Sequence, residues 1–200
     1  MARMPASERR DKLIDAAITV MSREGVPNTT TRAIVGEAGM QIGVFHYCFR
    51  SKDELVLEVM QRISKRSFEA VGGVLDHTTD PASLIRLATD AYWQHINQNP
   101  LEHLLTYELT HFALRQPGSE HAARAQYDSS ISGMSALLVA IAEAGSFTWR
   151  SSVDVLARFV LASIDGITFQ WLVHRDAAWA EALFAKLVDC LYDEAGLTAR

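Results

Sequence analysis

Cysteine is nearly absent: Cys48 and Cys190 are the only two in 200 residues, and they lie far apart. No disulfide framework can therefore hold the chain together, and a reducing cytoplasm is the expected setting. Proline is scarce as well, and four of the five, Pro27, Pro81, Pro100 and Pro117, fall at breaks between long helix-compatible stretches. No segment shows the period-2 alternation of a half-buried strand, which argues against a sheet. No apolar run approaches the length of a membrane span, and the N-terminus lacks a signal-peptide core, so no membrane is expected as a partner. There is no Gly-rich phosphate loop, no nucleophile elbow and no close Cys/His zinc spacing, so no cofactor, metal or catalytic site is expected. Nor is the chain basic overall: 19 Lys/Arg stand against 24 Asp/Glu, a net charge of −5.

What the chain does have is apolar residues, 48% of the total, enough for a substantial core. They recur at helical spacing between clear stops. A first helix runs from Ser7 to Glu24 on the stripe Leu13, Ile14, Ala17, Val20 and Met21, and Gly25 ends it. Asp80-Pro81 and Asn99-Pro100 open a fifth and a sixth helix, the latter reaching Arg115. A seventh spans roughly 120–144, an eighth 151–174 and a ninth 176–195. The sequence thus predicts an all-α protein of about nine helices. Its N-terminal unit would cover residues 1–52 and its helical body residues 53–200, with a fourth helix over about 52–75 linking the two.

The organising stretch is residues 30–55, TTRAIVGEAGMQIGVFHYCFRSKDEL. Thr31 can cap a short helix through Ala38. Gly39 then stands where a left-handed residue ends it. Ile42 to Phe49 makes a second short helix whose Phe45 and Phe49 share one face. Ser51 and Glu54 form a capping box for the fourth helix. Two short amphipathic helices joined by a Gly-containing turn make a helix-turn-helix, the unit that lays its second helix in the DNA major groove.

This stretch resembles the signature of TetR-family transcriptional regulators in its Thr-rich start, Ile34, Ala38-Gly39, Gly43, Phe45, Phe49, Ser51-Lys52 and Leu55. The resemblance covers about the first quarter of the chain; the remainder agrees in length and helical character. Gln41, His46 and Cys48 depart from the family pattern, which has Ser or Thr, Tyr, and His or Tyr there. Residues 1–66 carry 11 Lys/Arg against 8 Asp/Glu and residues 67–200 carry 8 against 16, net charges of +3 and −8. A mildly basic head on an acidic body suits a double-stranded DNA operator as partner.

At the start of the second helix, Gln41 can hydrogen-bond a base edge, Gly43 lets the backbone approach DNA, and Ile42 and Val44 can meet thymine methyls. Ile42 also shares a period with Phe45 and Phe49, so a core position competes. The resemblance implies phosphate contacts at Thr31, Arg32, His46 and Lys52, and the N-terminal Arg3 is a further candidate.

The eighth helix is apolar nearly all round, so it must be covered on two sides. One cover is the body's own core; the other is a second copy of the chain. Phe159, Ile164 and Trp171, with the row Phe184, Leu187, Val188 and Leu191 on the ninth helix, are the expected homodimer interface. A dimer would also present two recognition helices one DNA turn apart, matching a palindrome.

Tyr92, Trp93 and His95 on the fifth helix and His103, Tyr107, Glu108, His111 and Phe112 on the sixth mix aromatic and polar character, as ligand pockets do. The resemblance implies such a pocket for a small-molecule effector among helices 4 to 8, with Tyr127, Phe169 and Gln170 facing it. Glu108-Leu109-Thr110-His111 is half of a di-iron motif, but no second copy exists to complete it. Two function classes stand at this point: a ligand-responsive repressor of transcription, and a helical dimerisation or adaptor protein whose head binds protein.

Overall fold

The computed structural model describes residues 4–197, apart from the side chains of Asp53, Val74 and Leu75. Arg3 lies outside that range. The described residues form nine α-helices and no strand, in agreement with the expected class. They are α1 (Ala6–Glu24), α2 (Thr31–Glu37), α3 (Ile42–Cys48), α4 (Lys52–Gly72), α5 (Pro81–Gln98), α6 (Pro100–Arg115), α7 (Glu120–Gly145), α8 (Val153–His174) and α9 (Ala177–Glu194).

Local chemistry sets the boundaries. The Asp80 carboxylate accepts from the Ser83 N–H at 2.9 Å, and Pro81 opens α5. Asp176 accepts from the Ala178 and Trp179 N–H groups at the start of α9. Thr30, not Thr31, caps α2: its hydroxyl accepts from Ala33 N–H at 3.1 Å, and Thr31 becomes the first helical residue. Helix α4 stops at Gly72, short of the expected residue 75, and the chain tightens into a 3-10 turn over Gly73–Asp76. Two successive glycines carry the largest helix penalty short of proline.

The chain divides into two compact units, and the division is not the expected one after residue 52. The first unit keeps α4 as far as Ile63 and also takes Leu101–Gln126; the second holds Ser64–Pro100 and the chain from Tyr127 onward. The core of the first unit shows why. Leu13, Ile14 and Ala17 of α1, Ile34 of α2, Phe45 of α3 and Phe49 just after it bury together with Leu55, Val59 and Met60 of α4. Leu105 and Leu109 of α6 complete the same cluster. Each such side chain contributes about 1.5–3 kcal/mol on burial, more than any one surface ion pair, so apolar packing decides membership.

The second unit packs α5, α7, α8 and α9 around Leu84, Ile85, Met134, Leu138, Leu156, Val160, Phe184 and Leu187. Trp93 stands at its centre, edge-on to Trp171 at 5.2 Å and tilted against Phe184 at 5.4 Å between ring centroids. Six of the residues expected at a homodimer interface, Ile164, Trp171, Phe184, Leu187, Val188 and Leu191, belong to this core instead. The cause is that α5 and α9 cover the inner face of α8 within a single chain. Only Phe159 of the expected set lies on the open side, 46% exposed. By length and composition α8 could cross a membrane, contrary to the expectation, but much of it is buried among its neighbours.

Candidate nucleic-acid interface and ligand cavity

The helix-turn-helix forms from its sequence signals. Gly39 takes φ +64°, a left-handed conformation costly for a side-chain-bearing residue, and lets the Met40 N–H reach the Val35 carbonyl at 2.8 Å. Phe45 and Phe49 are buried side by side, with ring centroids 5.5 Å apart, and anchor α3 by one face. The opposite face is open. Gln41, Gly43 and His46 are exposed, and Ile42 is 44% exposed, so it does not take the competing core position. A Cβ added to Gly43 would meet nothing within 4 Å. Val44 is half-buried against the core and offers only part of its surface. Arg32 is exposed on α2, while the Lys52 ammonium donates to the Thr29 carbonyl at 3.4 Å and remains near the surface. Thr31 is half-buried.

Two residues were not singled out from the sequence. Tyr47 is 72% exposed on α3, with the Arg9 guanidinium 5.3 Å from its ring centroid. Its place in an aromatic run between two buried phenylalanines was the available signal: helical spacing turns it away from both. Arg10 had no signal. Its guanidinium donates to the Cys48 carbonyl at the end of α3 and to Glu54 and Glu58 on α4, both at 2.8 Å. It also lies 4.3 Å over the Phe49 ring. The Glu58 hydrogen bond leads in raising the Arg10 pKa. The Arg50 N–H, then Arg10, hold Glu54 below the usual carboxylate range. The expected capping box forms with one change: Ser51 accepts from Glu54 N–H, but the Glu54 carboxylate reaches back to the Arg50 N–H.

Charge pairing is uneven over this unit. Among the described side chains of residues 4–63, every carboxylate has an ion pair: Glu8 with Lys12, Asp11 and Asp15 with Arg62, Glu24 and Glu37 with Arg23, Glu54 and Glu58 with Arg10. Arg9, Arg32, Arg50 and Lys52 have no such pair among the described residues. Arg10, Arg23 and Arg62 are each shared by two carboxylates, so the segment is not cationic in sum, but its cations without an ion pair lie next to or within the helix-turn-helix, where they suit a polyanion.

The residues expected around an effector are divided between the two units. His103 is buried on α6, Tyr107 and Phe112 are half-buried there, and His111 is exposed. The Glu108 carboxylate accepts from the Val26 N–H at 3.2 Å, tying α6 to the turn after α1 inside the first unit. Tyr127 donates to Asp165 at 3.0 Å in the second unit; burial, then Asp165, push its phenol up to about 12. Phe169 and Gln170 are exposed on α8. Gln170 borders an open groove of about 560 Å³ with Trp171, His174 and Trp179.

The second unit has a different cavity, of about 40 Å³. Its walls are Ile85, Ala88, Thr89 and Tyr92 of α5, Met134, Leu137, Leu138 and Ile141 of α7, Val160 and Ile164 of α8, Phe184, Leu187 and Leu191 of α9, and Trp149. Tyr92 is the one residue among them that the mixed character of α5 and α6 points to.

On α8 the exposed apolar residues are in register. Val155, Phe159, Phe169 and Val173 are large and open, with the small Ala162 and Gly166 between them. Steps of four and three residues make a seam of the kind that packs helix against helix.

The family model for bacterial regulatory proteins of the tetR family matches residues 13–59. HdnoR, a nicotine-responsive transcriptional repressor of Paenarthrobacter nicotinovorans, is 29% identical over 195 residues, covering 98% of this chain and 100% of the relative. The structure of the multidrug binding protein EbrR complexed with ethidium matches with a TM-score of 0.66 and 26% identity, over 90% of this chain and 98% of that one. A TetR-family regulator from Rhodococcus sp. matches with a TM-score of 0.78 over 94% of this chain and 99% of that one; at 17% identity the likeness is one of fold.

Proposed function

Because the chain belongs to the tetR family of bacterial regulatory proteins and is a DNA-binding transcriptional regulator rather than an enzyme, we propose that it represses transcription in the cytoplasm as a homodimer on a palindromic operator. A small molecule received by the second unit releases it. The observation that carries the DNA reading is the open face of α3: Gln41, Ile42 and Gly43 look outward while Phe45 and Phe49 hold the helix from behind. Gln41 reads a base edge; Arg32, His46, Tyr47 and Lys52 hold phosphates. The α8 seam supports the dimer, because a second copy would cover Val155, Phe159, Phe169 and Val173, which otherwise face water. HdnoR responds to nicotine and EbrR binds ethidium, so small organic molecules are the class to screen.

Gly43→Ala tests the interface. A methyl there meets no neighbour in the free protein, and Ala is the better helix former by about 0.5–1 kcal/mol, so the variant should be as stable or more so. It should nonetheless bind operator DNA, selected from genomic fragments, at least about tenfold more weakly, because a 1 Å misfit of the backbone disrupts several contacts at once. Fluorescence anisotropy at several salt concentrations reads both affinity and phosphate contacts. Undiminished affinity in Gly43→Ala would take that residue off the interface, and a flat salt response would favour the adaptor reading.

A further inference from the structure

The cavity of the second unit is unusual in what its polar groups are doing. Of the residues on its walls, none is ionisable at neutral pH, and only Thr89, Tyr92 and Trp149 carry a side-chain polar atom. All three are already engaged. The Thr89 hydroxyl donates to the Ile85 carbonyl at 2.9 Å, one turn back on its own helix. The Trp149 Nε1–H donates to the Leu138 carbonyl at 2.9 Å. The Tyr92 hydroxyl is hydrogen-bonded with Ser67. The Asp165 carboxylate, which is not on the walls but acts on the Tyr92 phenol, accepts from Tyr127. A ligand here finds mainly dispersion contacts: the Thr89 and Trp149 donors are used, only hydroxyl lone pairs remain, and no wall residue carries a charge.

We infer that this cavity takes an uncharged, largely hydrocarbon ligand, and that a charged molecule enters it only after losing its charge. The inference rests on the proposal that the second unit receives the effector, and it names the chemical class. An ion moved here would give up its hydration and find no charged partner on the walls in return, whereas an apolar molecule gains by leaving water. The cavity volume adds a second point. At about 40 Å³ it is smaller than an ordinary organic molecule needs, so binding must open it. Met134 and Leu137 on α7 are suited to that: one is unbranched and adaptable, the other only half-buried. Ligand binding and displacement of the α7 wall from α5 are thus one event.

Two dyes with a common skeleton test the class. N-phenyl-1-naphthylamine is uncharged, and 1-anilinonaphthalene-8-sulfonate adds a sulfonate to the same rings. Titrated into the full chain, the uncharged dye should saturate one site per chain, about 100-fold or more tighter than the sulfonate, since the ionic group has no partner in the cavity. Ethidium, a permanent cation, should not displace it. Ala88→Leu fills the cavity from α5 and should weaken the uncharged dye more than about tenfold while the circular dichroism spectrum and operator binding persist. Should that variant fail to fold, Leu137→Phe fills the same space from a half-buried position.

Equal affinity for the two dyes, with both lost in the filled variant, overturns the inference, because the cavity would then accept charge. So does uncharged-dye binding that neither filling variant changes, because the site would lie elsewhere. The effector proposal fails separately. If the uncharged dye saturates the cavity and operator affinity does not move, the chemical class stands and the effector role falls. If a charged compound releases the operator even from the filled variants, the effector role stands and this inference falls.

Discussion

Arg10 is the residue whose removal should change the reading head most for the least loss of buried surface. Its side chain joins three elements: α1, on which it sits, the last carbonyl of α3, and Glu54 and Glu58 on α4. The two ion pairs are about one-third exposed and discounted by solvent, so each contributes about 0.5 kcal/mol. The guanidinium over Phe49 adds about 0.5–1 kcal/mol. The bond to the Cys48 carbonyl, made by a charged donor at a partly exposed site, adds about 1 kcal/mol. The sum is about 2.5 kcal/mol. Arg10→Met keeps the apolar stem and removes the rest. The loss should be local, so hydrogen–deuterium exchange is the suitable assay: amides over residues 42–50 should exchange about 50-fold faster, since each 1.4 kcal/mol of opening free energy is tenfold in rate. Peptides from α8 should be unchanged. Arg10→Lys should recover part of the protection, because an ammonium keeps the charge but not the fork. If exchange over residues 42–50 in Arg10→Met rose less than about threefold, the ties would be ornamental and the positioning argument would be refuted.

Other expectations follow from the same geometry. Gln41→Ala should flatten base preference at one position of each half-site. Lys52→Ala should weaken all duplexes alike and reduce the salt slope by about 1; competition binding against single-base operator variants separates them, and an intact preference in Gln41→Ala would remove that residue from base reading. Phe159→Glu puts a charge on the α8 seam and should shift the chain from dimer to monomer in sedimentation velocity, whereas Trp179→Ala, off the seam, should not. The Tyr127 phenol, pushed up to about 12 by burial and Asp165, stabilises the fold below the ordinary tyrosine range and loses that contribution as pH rises through 12. Difference absorbance near 295 nm should follow its titration, and Asp165→Asn should move it back toward 10. Glu54 runs the other way. Its lowered pKa means the stability it lends is present above the ordinary carboxylate range and is lost as pH falls through its folded value. Acid unfolding of Glu54→Gln should accordingly depend less on pH than that of the parent chain.

The reading head was legible because its signals are short-range. Gly39, the Phe45/Phe49 pair and the Ser51 cap each act within a turn of helix, where spacing along the chain equals spacing in the molecule. Arg10 was invisible for the opposite reason: its partners are 38 to 48 residues away, and no periodicity marks a long-range ion pair. On α8 two apolar faces are evident from the residue order, with nothing to say which is already covered. Ile164 and Trp171 went to the inner face, and Phe169, expected at an effector, went to the seam. Composition is a poor guide to the cavity of the second unit: polar and aromatic residues mark α6, whose Leu105 and Leu109 belong to the first unit, whereas this cavity has almost no polar surface to advertise it.

Glu108 accepting from the Val26 backbone has a practical corollary for anyone cutting or splicing this gene. The reading head is assembled from two pieces of polypeptide separated by the whole of α5, so it is not a detachable N-terminal cassette. A fragment ending near residue 63 would leave raw hydrocarbon where Leu105 and Leu109 belong and an orphaned amide at Val26. A hybrid meant to redirect this protein to another operator should therefore transplant residues 101–126 along with the N-terminal segment.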